Sequence, residues 1–377
     1  MERLTDAPDE RLPVSLLTGF LGSGKTTVLN RLLRHPDLAR TAVIINEFGE
    51  IGLDHDLVES TTDELMLLQS GCLCCTIRSD LVDALRDLFL RRVRGEVPPF
   101  ERVVIETTGL ADPAPILHAL MTDPLVEARY RIDGIITTVD AATGMATLNR
   151  QSESLKQIAL ADRLLLTKTD LAPVHRLSAL MSRLALINPV APVIHTVNGE
   201  VDPDALFNAG PYNAKTKVWD VRRWLRADAI ETSVRRDPSA PPGAGRGGFG
   251  AVASRHDDRI RALCLAIDEP IPVDAFNRWL DALFLLKGPD LMRIKGIANI
   301  LDLDRPVVIH GVQHIFHPIT MLARWPTADR RSRFVFIGRD LEEGGLRDLL
   351  SIFANACSGT LTETIETDPD RAQRRAR

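Results

Sequence analysis

Three thiols fall within four residues of each other: Cys72, Cys74 and Cys75, in the segment SGCLCCTIR at 70–78. Thiolates are soft ligands suited to zinc, cobalt or copper(I). Neighbouring cysteines bond each other only with strain, so a local disulfide is disfavoured. Cys72 and Cys74, one residue apart, can point to one side of an extended segment. Two or three thiolates completed by a Glu or His make a tetrahedral metal site. The other two of the five cysteines, Cys264 and Cys357, are isolated. An odd count in a chain whose N-terminal residues carry no export signal argues against a disulfide framework.

A second chemistry stands earlier in the chain. GFLGSGKT, 19–26, fits G-x-x-x-x-G-K-[ST] at every fixed position, after an apolar strand pattern and at the head of a helical one. Glycines there let the backbone wrap a triphosphate with successive N–H groups aimed at its oxygens, and the helix N-terminus adds favourable partial charge. The candidate phosphate-binding set is Gly19, Gly22, Ser23, Gly24, Lys25, Thr26 and Thr27. Lys25 is placed to reach the β- and γ-phosphates, and the Thr26 hydroxyl to ligate magnesium.

LLLTKTDL, 164–171, resembles the N/T-K-x-D guanine motif of GTPases. In that motif the Asp, here Asp170, accepts hydrogen bonds from guanine N1–H and the 2-amino group, donors that adenine lacks. The Lys168 stem packs along the base, and Thr167, in place of the usual Asn, is expected to weaken a supporting hydrogen bond. In VVIETTGLADP, 103–113, a strand delivers a carboxylate, Glu106, with Gly109 three residues later. The Gly109 N–H is a candidate γ-phosphate contact. Glu106 either holds magnesium through a water or positions the attacking water. INEFGEIGLDHDLV, 45–58, combines Glu47, Glu50, Asp54, His55 and Asp56 with two glycines in a strand-exit loop. Glu47 is a candidate catalytic carboxylate and Glu50 a candidate metal ligand; Asp54, His55 and Asp56 read as solvated loop residues.

These residues need a scaffold, and the pattern supplies one. Short apolar runs (12–18, 41–46, 64–69, 102–106, 132–140, 164–168, 192–196) alternate with helical stretches (26–35, 80–93). That order predicts a parallel sheet covered on both faces. From 231 to 258 the chain is rich in Gly, Pro and Arg and reads as a linker. Beyond it come a strand pattern at 260–267, a helix at 272–284 started by Pro272, and strands in LMRIKGIANIL, RPVVIHGVQHIF and SRFVFIG. A less regular stretch, DLEEGGLRDLLSIF, has a helical second half. The expected division is a nucleotide-binding domain at 8–210, a connecting segment at 211–258, an α+β domain at 259–357 and a disordered tail at 358–377. The 377 residues, at roughly 150 per domain, suit two domains. With 46 basic and 51 acidic residues the net charge is −5, which excludes a general nucleic-acid binder. No apolar run approaches the ~20 residues of a membrane span, so a cytoplasmic protein is expected.

The motifs GFLGSGKTT, INEFGE, GCLCC, ETTGLADP and TKTD, in this order, resemble the CobW-type family of metal-handling GTPases. That family includes cobalamin-biosynthesis CobW proteins and zinc-regulated GTP metallochaperones. Related groups serve nitrile hydratase, urease and hydrogenase maturation. LMRIKGIANI, VIHGVQHIF and SRFVFIGRDL are similar to the family's C-terminal domain, so the likeness spans most of the chain. The resemblance implies a P-loop NTPase fold of the doubly wound, mostly parallel kind with a smaller CobW C-terminal-like α+β domain. It implies GTP, magnesium, and zinc or cobalt as ligands, slow hydrolysis without a client, and metal release after hydrolysis. The partner implied is a client metalloprotein or metallocofactor enzyme, with a metal- or nucleotide-dependent homodimer as a second form of association. Two rivals are a regulatory GTPase with a thiol redox switch at Cys72–Cys75 and a scaffold for cobalamin or nitrile hydratase maturation. His310, His314 and His317 fall within eight residues and read as ordinary sheet histidines ahead of a secondary metal site.

Overall fold

The computed structural model describes residues 3–4, 10–46, 66–69, 77–207, 212–213, 218–219, 260–313, 315–316, 319–322 and 324–358. The thiols Cys72, Cys74 and Cys75, the carboxylates Glu47 and Glu50, Asp54, His55, Asp56, His314 and His317 lie outside the described residues, as do nearly all of the linker and the tail.

Seven parallel strands form the first sheet: β1 (Leu12–Gly19), β2 (Thr41–Asn46), β3 (Met66–Gln69), β4 (Arg102–Thr107), β5 (Tyr130–Asp140), β6 (Arg163–Thr167) and β7 (Val193–His195). Their order is β3-β2-β4-β1-β5-β6-β7. The continuous apolar runs are explained by burial on both faces, with alternate residues feeding opposite layers. Ala42, Ile44, Val103, Ile105, Leu164 and Leu166 join one core. Val43, Ile45, Val104 and Leu165 join the other, with Val28, Leu29, Leu32 and Leu33 of helix α1 (Lys25–Leu33). The first core also takes residues from α2 (Ile77–Arg94), α3 (Pro113–Thr122), α6 (Ser152–Leu160) and α7 (Val174–Ile187). Two shorter helices, α4 (Pro124–Arg129) and α5 (Gly144–Leu148), complete this layer. The expected doubly wound α/β arrangement is therefore present.

The second sheet is antiparallel through β10 (Val307–Val312), β9 (Leu291–Ala298), β11 (Ser332–Arg339) and β8 (Ile260–Ile267). At its far edge Thr320–Met321 pairs with β10, and Arg3–Leu4 adds a parallel bridge. A short helix α8 (Pro203–Leu206) ends the first unit; α9 (Val273–Lys287) and α10 (Glu343–Ser358) cover one face of the second sheet. That face holds Phe276, Trp279, Phe334 and Phe336, with Trp279 and Phe334 ring centroids 5.1 Å apart. Pro272 starts α9 as expected, since its fixed φ suits the position before a first helical turn. The opposite face, through Met292, Ile297, Val308, Val335 and Ile337, shares the core of the first unit, where α6 packs on β9 and α7 on β8. No helix among the described residues is long and apolar enough to cross a membrane.

Candidate nucleotide and metal site

Parallel pairing brings the motifs to one edge. Leu17 of β1 stands beside Glu106 of β4, Gly19 beside Thr138 of β5, and Asp140 beside Thr167 of β6. All are at the carboxyl ends of their strands, where open α/β sheets bind ligands. The loop from Gly19 to Gly24 then turns into α1. Gly19 has φ +140°, and a Cβ there would stand 2.1 Å from Thr138 Oγ1. Gly24, at φ +91°, caps α1 without a side-chain hydrogen bond, so the first-turn N–H groups have no side-chain cap. Ser23 Oγ is 2.6 Å from Thr138 Oγ1. The buried Lys25 ammonium bends back over the loop and donates to the carbonyls of Gly19 (3.1 Å) and Phe20 (3.4 Å).

Thr26 Oγ1 donates to Glu106 Oε1 at 2.9 Å, and Glu106 is only 6% exposed. A hydroxyl and a carboxylate in contact, buried beside a phosphate loop, are hard oxygen donors of the kind magnesium takes. The donor set therefore fits that ion. Next to Glu106, Thr107 Oγ1 donates to Thr18 Oγ1 at 2.8 Å and ties β4 to β1. Gly109 lies against the phosphate loop: a Cβ on it would stand 2.6 Å from the Leu21 backbone nitrogen. Only glycine fits this approach.

The guanine-motif residues are stitched to the same loop. Thr167 Oγ1 donates to Ser23 O (2.8 Å), with Val139 O as a second, longer acceptor within reach (3.2 Å). The side chain that stands in the usual Asn position thus ties the guanine-motif strand end to the phosphate loop. Lys168, in a left-handed conformation at φ 52°, donates to Gly22 O at 2.7 Å and pairs with Asp140 Oδ2 at 2.8 Å. Asp140 Oδ1 accepts from the N–H groups of Ala142 and Thr143. Burial alone would raise the Asp140 carboxyl; the Lys168 ammonium and these two N–H groups outweigh it and hold the group below its ordinary range. Asp170 follows in the turn Thr169–Leu171, exposed and pointing no hydrogen bond inward.

Sequence reasoning missed three contributors. Asp140 was read only as the end of a strand. The turn at Gly199 (φ +76°) comes within contact of the Thr27 carbonyl, and Arg31 Nε donates to Asn198 O at 3.3 Å. This turn closes over the start of α1. Gln157 of α6 donates to the carbonyls of Gly109 (3.1 Å) and Ala111 (3.0 Å). Only for Asp140, an acidic residue closing an apolar strand beside the phosphate loop, was there a signal to find.

For the thiols, the described anchors are informative. β2 ends at Asn46, before Glu47 and Glu50; β3 ends at Gln69, before Cys72. The two strands pair in parallel, Ile45 opposite Gln69, and Asn46 stands opposite Thr107 of β4. Among the described residues no cluster of three His, Cys, Asp or Glu could hold a metal. His310 lies on β10 with Nε2 3.2 Å from Arg293 Nη2, beside a buried ion cluster. Cys264 sits half-buried on β8.

The chain matches two family models, "CobW/HypB/UreG, nucleotide-binding domain" over 13–195 and "Cobalamin synthesis protein cobW C-terminal domain" over 260–354. It is 34% identical over 340 residues to the zinc chaperone YjiA of Escherichia coli (strain K12), covering 89% of this chain and 96% of that protein. It is 28% identical over 373 residues to the zinc chaperone CobW of Pseudomonas aeruginosa, covering 90% and 91%. The crystal structure of Zn(II)-bound YjiA GTPase superposes with a TM-score of 0.67 at 30% identity, over 92% of this chain and 99% of that one. A YjiA variant with one glutamate and two consecutive cysteines replaced by alanine is also Zn(II)-bound in its crystal structure, with a TM-score of 0.68 at 29% identity over 92% and 99%. With an edge that gathers phosphate-loop, carboxylate and guanine-type residues, and with both domains matched in order, the chain belongs to the CobW family of GTPases.

Proposed function

We propose that this GTPase is a metallochaperone that binds zinc at Cys72, Cys74 and Cys75, with Glu50, and passes it to a client metalloprotein. The observation that carries the reading is the register of β2 with β3 and β4. The segment holding Glu47 and Glu50 and the segment holding the thiols continue from neighbouring strand ends, at the edge that carries Glu106. A rearrangement driven at one segment has a short path to the other. The relatives named as zinc chaperones favour zinc over cobalt as cargo, and a reducing compartment such as the cytoplasm keeps the thiols available.

In this mechanism the Lys25 ammonium neutralises the β- and γ-phosphates and the loop N–H groups cradle them. Asp170 selects guanine, and Thr167 and Lys168 fix its turn to the phosphate loop. Thr26 and Glu106 would hold magnesium, which supplies charge neutralisation on the phosphates when bound. Glu106 or Glu47 orients the attacking water, and the Gly109 N–H meets the γ-phosphate. Hydrolysis removes the group that Gly109 meets, the adjoining segments relax, and the cargo ion is released. Linkage requires that zinc tighten GTP by the factor by which GTP tightens zinc.

Zinc titration against a chromophoric chelator tests this, with magnesium and either GDP or a non-hydrolysable GTP analogue. The wild type should bind zinc at least tenfold tighter with the GTP analogue, and Cys74→Ala should abolish that difference. Equal zinc affinity in both nucleotide states, or in both proteins, refutes the reading. Because the alanine variant of YjiA also carries zinc in its crystal structure, the nucleotide-dependent difference is the decisive quantity, not binding alone.

A further inference from the structure

Helix α6 contacts the 109–112 loop at one side and leads into the second domain's ion cluster at its end. Gln157 is fully buried and its Nε2 donates to the carbonyls of both Gly109 and Ala111. Its Oε1 is buried with no hydrogen-bond partner among the described residues. The neighbouring Lys156 pairs with Asp112 Oδ2 at 2.9 Å, and Asp112 Oδ1 caps α3 through Ala114 N–H. Two consecutive residues of α6 therefore grip the whole segment 109–112.

The helix is itself held firmly. Thr137 of β5 donates to the Gln157 carbonyl, and Asn188 Nδ2 donates to the carbonyls of Ile158 and Ala161 at 2.8 and 2.9 Å, satisfying the helix C-terminus. Five residues after Gln157 comes Asp162, which is buried. Its Oδ1 accepts from Arg293 Nη2 at 2.5 Å and Lys295 Nζ at 2.6 Å, both on β9 of the second sheet. Its Oδ2 and N–H bond the backbone of Ile135 in β5. From Asp162 the chain runs directly into β6, which ends at Thr167 and the guanine turn.

We infer that Gln157 is a positioning residue through which the second domain, acting on α6 by way of Asp162, sets the place of the Gly109 N–H and hence the rate of GTP hydrolysis. The inference rests on the reading that Gly109 meets the γ-phosphate. The loop has two carbonyls tied to one amide and an unused acceptor beside it. A small displacement of α6 therefore moves both ties together. A client seated on the second domain would have a mechanical route to the hydrolytic site that bypasses the metal.

The test uses the full chain with magnesium and nucleotide, comparing wild type, Gln157→Leu, Lys295→Met and the double variant. Leucine keeps the bulk and removes both donors, so kcat should fall about tenfold while KM and GDP affinity stay within about twofold. Lys295→Met, which leaves the Arg293–Asp162 pair, should lower kcat about threefold. The double variant should be no slower than Gln157→Leu alone, because both changes act through one helix. An unchanged kcat in Gln157→Leu, a parallel loss of kcat and GDP affinity, or losses that multiply in the double variant overturns the inference. Hydrogen exchange in residues 106–114 separates its failure from that of the reading beneath it. If the GTP analogue protects this segment no better than GDP in the wild type, the γ-phosphate reading fails and takes the inference with it. If the wild type shows the difference and Gln157→Leu keeps it in full, only the inference fails.

Discussion

Replacing Asp162 by Asn puts the contact between the two domains to a quantitative test. The carboxylate is buried and faces two cations, Arg293 at 1% side-chain exposure and Lys295 at 4%. Asparagine keeps the shape and the acceptor toward Ile135 N–H but removes the charge. Arg293 is then a buried guanidinium without a carboxylate, and its Nε and Nη1 already lack partners among the described residues. Breaking a buried pair from one side costs about 3–5 kcal/mol. Lys295→Met should cost far less, about 1 kcal/mol, because Arg293 still answers Asp162 and burial already disfavours the lysine charge. Burial, outweighing the Asp162 attraction and reinforced by Arg293, lowers the Lys295 ammonium to about 7. The unfolded chain thus binds one more proton between about pH 7 and 10, so wild-type stability should rise with pH across that window. The depressed Asp162 carboxyl acts oppositely: its contribution is complete above the ordinary carboxylate range and lost as acid protonates it. All four tryptophans (Trp219, Trp224, Trp279 and Trp325) lie beyond residue 210, and Trp279 is fully buried in the second domain. Trp279 therefore gives urea unfolding, followed by tryptophan fluorescence, a buried reporter in that domain, while the mutation sits in the first. With a slope of about 2 kcal/mol per molar urea, Asp162→Asn should lower the midpoint by about 1.5–2.5 M. Lys295→Met should move it by about 0.5 M and abolish the rise with pH. A midpoint unchanged by Asp162→Asn, or a larger loss from Lys295→Met than from Asp162→Asn, refutes the reasoning.

Other expectations follow from the nucleotide edge. Asp170→Asn should weaken GDP binding at least tenfold while leaving the weak binding of ADP unchanged, as read by competition with a fluorescent nucleotide. Thr167→Val keeps the shape and loses the donor to Ser23 O, so GDP and GTP affinities should fall together, by about fivefold, with kcat little changed. Gly19→Ala meets Thr138 Oγ1 and its carbonyl at a φ alanine rarely adopts; this variant should fail to fold or lose several degrees of Tm, visible in a thermal melt.

What the sequence disclosed was the part of the site that is local in the chain. The phosphate loop is eight consecutive residues whose glycine positions encode its turn. The strands could be read because two-sided burial makes each a continuous apolar run. Glu106 could be singled out because it closes such a run, and Asp170 because it completes a T-K-x-D pattern just past the end of another. Gln157 and the Gly199 turn were missed because their roles are tertiary, whereas Asp140 carried a local signal that was passed over. Nothing in SESLKQIAL marks its glutamine as facing two carbonyls some 46–48 positions earlier. The tie from Thr167 to the Ser23 carbonyl was out of reach for the same reason: the hydroxyl meets it only because β6 lies where it does. Likewise LMRIKGIANI gave a strand, but the partner of its Arg293 and Lys295 is 131 and 133 residues away.

The placement of the second domain bears on how a GTPase of this family can be governed. A hundredfold change in rate or affinity corresponds to about 2.7 kcal/mol, the scale of two or three hydrogen bonds or one buried charge contact. Around the edge described here that energy is available from two directions. The thiol and Glu47–Glu50 segments continue from β3 and β2, on one side of β4. The α6 grip and the Asp162 cluster approach through β5 and β6, on the other side. Glu106 and Gly109 follow from β4, between them. On the proposed function, a metal and a client would then not compete for one switch: each would bias β4 from its own flank, and their effects would combine at Gly109 rather than at the nucleotide's base. The fixed stitches of Thr167 and Lys168 to the phosphate loop are consistent with that division. On the proposed reading of Asp170 and Gly109, they would hold guanine recognition constant while the γ-phosphate end is the part left to vary.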